Sequence, residues 1–127
     1  MAEYKTVVCV EDEPEMIDLV KLVLERQGVK LIGAVGGQRG LEVVRRIKPD
    51  LVLLDMMMPD LDGWEFHRQM KADQELRDIP VIIVTALARG AAKRRGLDTG
   101  NVDGYVIKPF VMQELIRRVS RILGTEI

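Results

Sequence analysis

Residues 51–66 read LVLLDMMMPDLDGWEF. Four apolar residues run into an aspartate, Asp55. Three methionines, a proline and an acidic turn follow, and a stretch of helical spacing carrying Phe66 and Met70 begins at Gly63. A short, continuous apolar run bounded by turn residues suits a strand covered on both faces. A carboxylate at the end of such a run is costly unless something pairs with it or it stands at the rim of the sheet. The stretch therefore reads as strand, charged loop and helix, with Asp62 placed to cap the helix.

Four further apolar runs fit the same pattern: TVVCV (6–10), KLIGAV (30–35), VIIVTA (81–86) and GYVIK (104–108). Helical patterns alternate with them. PEMIDLVKLVLERQG opens on Pro14, which suits a first helical turn, carries Met16, Val20, Val23 and Leu24 as a stripe, and stops at Gly28. QRGLEVVRRIK, the weakly apolar ARGAAKRRGLD and VMQELIRRVSRILG complete the set, the last ending at Gly124. Strand followed by helix, five times over, predicts an α/β fold with a parallel sheet and helices on both faces. Right-handed crossovers leave few topologies, among them the doubly wound five-stranded order 2-1-3-4-5. No linker interrupts the pattern, and one domain is expected over residues 4–124.

The 127 residues are enough for a real core. With 47% apolar and 31% charged residues, disorder is not expected. The formal net charge of -1 supplies no general attraction to nucleic acid or to an anionic membrane, so neither is an expected partner. Cys9 is the single cysteine and lies inside an apolar run, which suits a small buried residue. The N-terminal stretch lacks a signal-peptide layout and no run reaches membrane-spanning length, so a cytoplasmic protein is expected.

In a parallel sheet, ligands bind outside the carboxyl ends of the strands. Strand one leads into Glu11, Asp12 and Glu13, strand three into Asp55, strand four into Thr85 and strand five into Lys108. Strand two leads into two glycines and brings no side-chain chemistry to this edge. Clustered carboxylates repel one another, and a divalent cation would relieve that repulsion. All-oxygen ligands favour a hard ion such as Mg²⁺, and the absence of histidine and thiolate argues against zinc. A carboxylate beside such a cation, a lysine and a hydroxyl can attack phosphorus and become an aspartyl phosphate. Each residue alone has a plainer reading: helix-end acid, loop charge, strand threonine or solvated lysine. Their common edge is what favours chemistry.

The sequences VVCVEDEP, PDLVLLDMMMPDLDGWEF, IPVIIVTA and DGYVIKPF, in that order and over nearly the whole chain, resemble the receiver domain of two-component response regulators, which has a flavodoxin-like fold. The resemblance implies that Asp55 is the phosphoacceptor in a Mg²⁺-dependent reaction, with Mn²⁺ a substitute ion. It implies that Asp12 and Asp55 are direct metal ligands, that Glu11 acts through water, and that the backbone carbonyl of Met57 completes the protein ligands. Lys108 would contact the phosphoryl group, and the Lys108–Pro109 bond would be cis. Thr85 would be the switch hydroxyl that moves toward the phosphate, and Tyr105 the aromatic switch that turns inward on activation.

A sensor histidine kinase or phosphotransfer protein would be the donor. A downstream protein or output domain would read the surface of helix 4, strand 5 and helix 5, where a homodimer could also form. The chain would be a regulatory phosphoacceptor rather than an enzyme, with at most self-phosphorylation and self-dephosphorylation. With apolar Met57 two residues beyond Asp55 and apolar Leu87 two beyond Thr85, self-dephosphorylation is expected to be slow.

His67 on the third helix is expected to be exposed. Three rivals are weaker. An aspartyl-phosphate phosphatase would want a second aspartate where Met57 stands. A flavin module would want a Ser/Thr/Gly-rich phosphate loop where EDEPE stands. A receiver-like scaffold that is never phosphorylated would not need the full residue set.

Overall fold

A computed structural model describes residues 4–124. Five strands, β1 (Thr6–Glu11), β2 (Lys30–Val35), β3 (Leu51–Leu54), β4 (Val81–Thr85) and β5 (Gly104–Ile107), alternate with five helices. The helices are α1 (Pro14–Arg26), α2 (Gly37–Ile47), α3 (Gly63–Ala72), α4 (Arg89–Arg94) and α5 (Met112–Leu123). Every strand pairing is parallel and the order is β2-β1-β3-β4-β5, as the alternation of apolar runs and helical stripes predicts.

The central strands are apolar on both sides because both sides are covered. On one face Val8, Val10, Val52, Leu54 and Ile83 pack with Leu41, Val44, Phe66, Met70 and Ala92. On the other, Val7, Leu51, Leu53, Ile82 and Val106 pack with Ile17, Val20, Leu24, Leu115 and Val119. Full burial of each such side chain larger than alanine contributes about 1.5–3 kcal/mol of transfer free energy. In α1 the fully buried residues are Ile17, Val20 and Leu24, so the stripe is turned slightly from the expected one and leaves Met16 and Val23 half-buried. Gly28 ends α1 with φ +85, in the left-handed region that glycine tolerates.

One local expectation holds only in part, and another fails. Asp62 takes the N-cap position of α3 with extended backbone, but its side chain forms no capping bond. The helix start is held through backbone instead: Phe66 N–H donates to the Asp62 carbonyl and Gly63 N–H to the Met56 carbonyl, both at 3.0 Å. His67 is buried, with 1% of its surface exposed. Its Nε2 lies 3.1 Å from the Asn101 carbonyl oxygen. A carbonyl can only accept, so Nε2 carries the proton. Burial pushes the His67 pKa down, against that hydrogen bond.

Gly63, the first residue of α3, packs tightly against the start of the loop after β3. A Cβ there would lie 2.6 Å from the Met56 Cα and 2.7 Å from the Asp55 carbonyl oxygen, and both are backbone atoms. Gly63→Ala is therefore expected to lower stability by about 1–3 kcal/mol, the usual cost of overpacking, and to displace the loop that carries Asp55. Urea unfolding measures the first effect. An unchanged midpoint would show that the loop yields freely.

Candidate functional site

The register of the strands sets the site. Val10 lies opposite Leu54, so Glu11 and Asp55 follow at one level on neighbouring strands. Thr85 lies opposite Ile107, so Lys108 follows one step beyond. Lys108 N–H donates to the Thr85 carbonyl at 2.8 Å, and the Lys108–Pro109 bond is cis. Asp55 N–H donates to the Val10 carbonyl at 3.1 Å.

Glu11, Asp12 and Asp55 each bring a carboxylate oxygen within 4.8 Å of the others. Glu11 and Asp55 are buried, with exposures of 2% and 5%, and Asp12 is half-buried. Such a cluster needs positive charge. Lys108 Nζ supplies some, donating to Glu11 Oε1 at 2.5 Å and to Asp55 Oδ2 at 3.3 Å. Glu13 is a looser neighbour, 3.9 Å from the same ammonium. Glu11 Oε2 also accepts from the backbone N–H of Asp12 at 3.1 Å and of Glu13 at 3.4 Å. Asp55 Oδ1 accepts from Met57 N–H at 3.1 Å.

One lysine does not balance three carboxylates. Loss of hydration on burial pushes the Glu11 pKa up to about 7; the Lys108 hydrogen bond opposes this and the charge of Asp55 adds to it. Burial also works against the Lys108 ammonium, but its bonds to Glu11 and the charge of Asp55 outweigh that, and its pKa lies above the usual lysine value. An oxygen-only donor set with surplus negative charge fits a hard divalent cation that keeps part of its water shell, as Mg²⁺ does.

Thr85 is fully buried beside this cluster, and among the described residues its hydroxyl bonds to neither Asp55 nor Lys108. Its Oγ1 accepts from Leu87 N–H at 3.4 Å. Leu87 in turn accepts, at its carbonyl oxygen, the Tyr105 hydroxyl at 2.6 Å. Tyr105 is turned inward, 8% exposed, with the Arg89 guanidinium 5.9 Å above its ring. Met57 is 45% exposed and its sulfur meets Arg95.

Sequence reasoning missed Asp60. Its carboxylate accepts from Gly37 N–H and Gln38 N–H, both at 3.0 Å, and so caps α2 from the loop after β3. Those two bonds, Gln38 first, hold the Asp60 pKa below the usual range. The two glycines that bring no side chain to this edge leave their backbone open for that contact: a Cβ on Gly36 would stand 3.2 Å from Asp60.

The model of the response regulator receiver domain matches residues 7–120. The chain is 36% identical over 117 residues to the DNA-binding dual master transcriptional regulator RpaA of Synechocystis sp., which covers 92% of the chain and 48% of that protein. It is 34% identical to the polar-differentiation response regulator DivK of Brucella anthropi, over 94% of the chain and 97% of that protein. It spans about half the length of RpaA and of other curated relatives it matches. Among solved structures, the response regulator TrrA of Thermotoga maritima in complex with Mg(2+)-BeF superposes with a TM-score of 0.81 at 30% identity, covering 93% of this chain and 98% of that one. The signal receiver domain of a histidine kinase from Syntrophus aciditrophicus gives 0.85 at 31%, covering 94% and 90%. Among the described residues no helix is long and apolar enough to cross a membrane. With this match over nearly its whole length and the parallel 2-1-3-4-5 sheet beneath it, the chain belongs to the response regulator receiver domains of two-component systems.

Proposed function

We propose that residues 4–124 form a single receiver domain that acts as a phosphorylation-dependent switch, with Asp55 as the residue that takes the phosphoryl group. The observation that supports this best is the meeting of Asp55 with two further carboxylates within 4.8 Å and with the Lys108 ammonium at 3.3 Å. A sensor histidine kinase or phosphotransfer protein would be the donor. An Asp55 carboxylate oxygen bonds to phosphorus as the donor's bond to phosphorus breaks and the donor leaves. Asp12 and Asp55 would hold Mg²⁺ directly, with the Met57 carbonyl completing the protein ligands and Glu11 acting through water; Mn²⁺ would suit the same oxygens. When bound, the cation supplies positive charge against the phosphoryl oxygens. Lys108 supplies more of that charge, and its present bond to Asp55 holds it in reach. The domain is regulatory, and its own chemistry is limited to self-phosphorylation and self-dephosphorylation.

Thr85, Leu87 and Tyr105 form the link from site to surface. If Thr85 turns to donate to a phosphoryl oxygen, its weak 3.4 Å bond to Leu87 is given up. Leu87, whose carbonyl holds Tyr105 in its inward position, is then free to follow Thr85 with that bond kept, and the population of the α4–β5–α5 surface shifts. Arg89, Lys93 and Arg94 on α4 and Arg117, Arg118 and Arg121 on α5 have no ion-pair partner among the described residues. That balance suits an acidic downstream protein or output domain. A homodimer through the same surface is the second reading, and like charges would oppose it at low salt.

Borohydride trapping tests the acceptor. An aspartyl phosphate is reduced to homoserine, so peptide mass analysis after acetyl phosphate and Mg²⁺ should find the conversion at Asp55. Conversion elsewhere would reassign the acceptor, and none would favour the scaffold reading. Apolar Met57 and Leu87 offer no side chain to orient an attacking water. The acyl phosphate is therefore expected to decay slowly; decay as fast as in receivers with polar side chains at both positions would contradict this.

A further inference from the structure

Arg95 is held in place by the way α4 ends. Leu97 N–H donates to the Ala92 carbonyl at 3.1 Å and Gly96 N–H to the Lys93 carbonyl at 3.0 Å, a Schellman closure with Gly96 at φ +113. Ala92 and Leu97, the apolar pair that such a closure joins, are both buried. A Cβ on Gly96 would stand 3.3 Å from the Trp64 indole, so this turn is also seated against α3. From this backbone the exposed Arg95 guanidinium reaches the Met57 side chain, with Nη1 3.6 Å from its sulfur. Met57 is itself tied to the phosphoacceptor, since its N–H donates to Asp55 Oδ1 at 3.1 Å. Arg95 has no carboxylate partner among the described residues.

We propose that Arg95 is a positioning residue that holds the Met57 side chain across Asp55 and so prolongs the life of an acyl phosphate formed there. The proposal rests on the receiver reading above and deepens it. In hydrolysis a water oxygen bonds to phosphorus as the bond from phosphorus to Asp55 breaks; inorganic phosphate leaves, the Asp55 carboxylate is restored and the surplus proton passes to solvent. That water must approach in line, and it needs an acceptor to orient it. A thioether is a weak acceptor and a guanidinium is none, so Met57 held over Asp55 would fill the path of the water without assisting its attack. A loose Met57 on a 45% exposed position would leave the path open for part of the time.

The test uses wild type, Arg95→Ala, Met57→Ala and the double variant. Each is phosphorylated with acetyl phosphate and Mg²⁺, freed of donor by desalting and followed by intact mass. Arg95→Ala is expected to shorten the half-life about threefold or more, the low end for coupled neighbours, and the double variant is expected to decay no faster than Met57→Ala. In the unphosphorylated protein, peroxide is expected to oxidise Met57 faster when Arg95 is absent, which a purely structural role would not require. A wild-type lifetime in Arg95→Ala, or multiplied effects in the double variant, overturns the proposal and leaves the receiver reading intact. Wild-type protein that takes up no phosphate, from acetyl phosphate and from a histidine kinase alike, overturns both.

Discussion

Asp55→Asn is expected to take up no phosphate from any donor while remaining folded. The carboxylate oxygen is the nucleophile of the proposed transfer, and an amide oxygen cannot replace it. The change is nearly isosteric, so the side-chain oxygen can still accept from Met57 N–H, as Oδ1 does at 3.1 Å. Lys108 keeps its 2.5 Å bond to Glu11. Removing the Asp55 charge also removes one of the influences that raise the Glu11 pKa, so the metal-free variant is expected to be at least as stable as wild type at pH 8. Intact mass after donor treatment and urea unfolding measure the two effects. Phosphate on the folded Asn variant would show that another residue is the acceptor.

Glu11→Gln is expected to stabilise the metal-free protein above neutral pH and to weaken its response to Mg²⁺. The Glu11 pKa rises from 4.5 to about 7 in the folded protein. A raised folded value means that the folded state holds a proton that the unfolded chain has lost. Its contribution to stability is full below about pH 4.5 and is lost as pH rises to about 7. At about 1.4 kcal/mol per pH unit, and allowing for the ion pair with Lys108 that glutamine gives up, Gln is expected to gain about 1–3 kcal/mol at pH 8. Below pH 4.5 the advantage should vanish. Mg²⁺ is expected to raise the wild-type midpoint more than that of the variant, because the cation stabilises the state that binds it. The check is a set of urea midpoints at pH 5 and pH 8, in EDTA and in Mg²⁺. Identical pH dependence in both proteins would mean that Glu11 is not strained.

The fold was legible because β3 and β4 are buried on both faces and carry unbroken apolar runs, which few other elements do. The gathering of Glu11, Asp12, Asp55 and Lys108 was legible for a topological reason: parallel strands deliver the residues at their carboxyl ends to one edge. His67 was misread although its own helix carried the signal. Gly63, Phe66, His67 and Met70 fall at the spacing of one helical face, and all four are buried. Polarity suggested an exposed histidine, but position on the helix decided its burial. Asp60 and Arg95 had no local signal. Asp60 caps a helix more than twenty residues earlier in the chain, and Arg95 meets Met57 only because α4 is short and Gly96 turns the chain against Trp64. Contacts of that kind depend on how loops are seated, which hydrophobic periodicity does not encode.

The most direct test of a metal-dependent phosphoacceptor is intact-mass spectrometry of the wild-type protein after acetyl phosphate, with Mg²⁺ and with EDTA, beside Asp55→Asn. The mass of one phosphoryl group is expected on wild type in Mg²⁺, and none in EDTA or on the Asn variant. Unmodified wild-type protein in Mg²⁺, from acetyl phosphate and from a histidine kinase alike, would contradict this expectation.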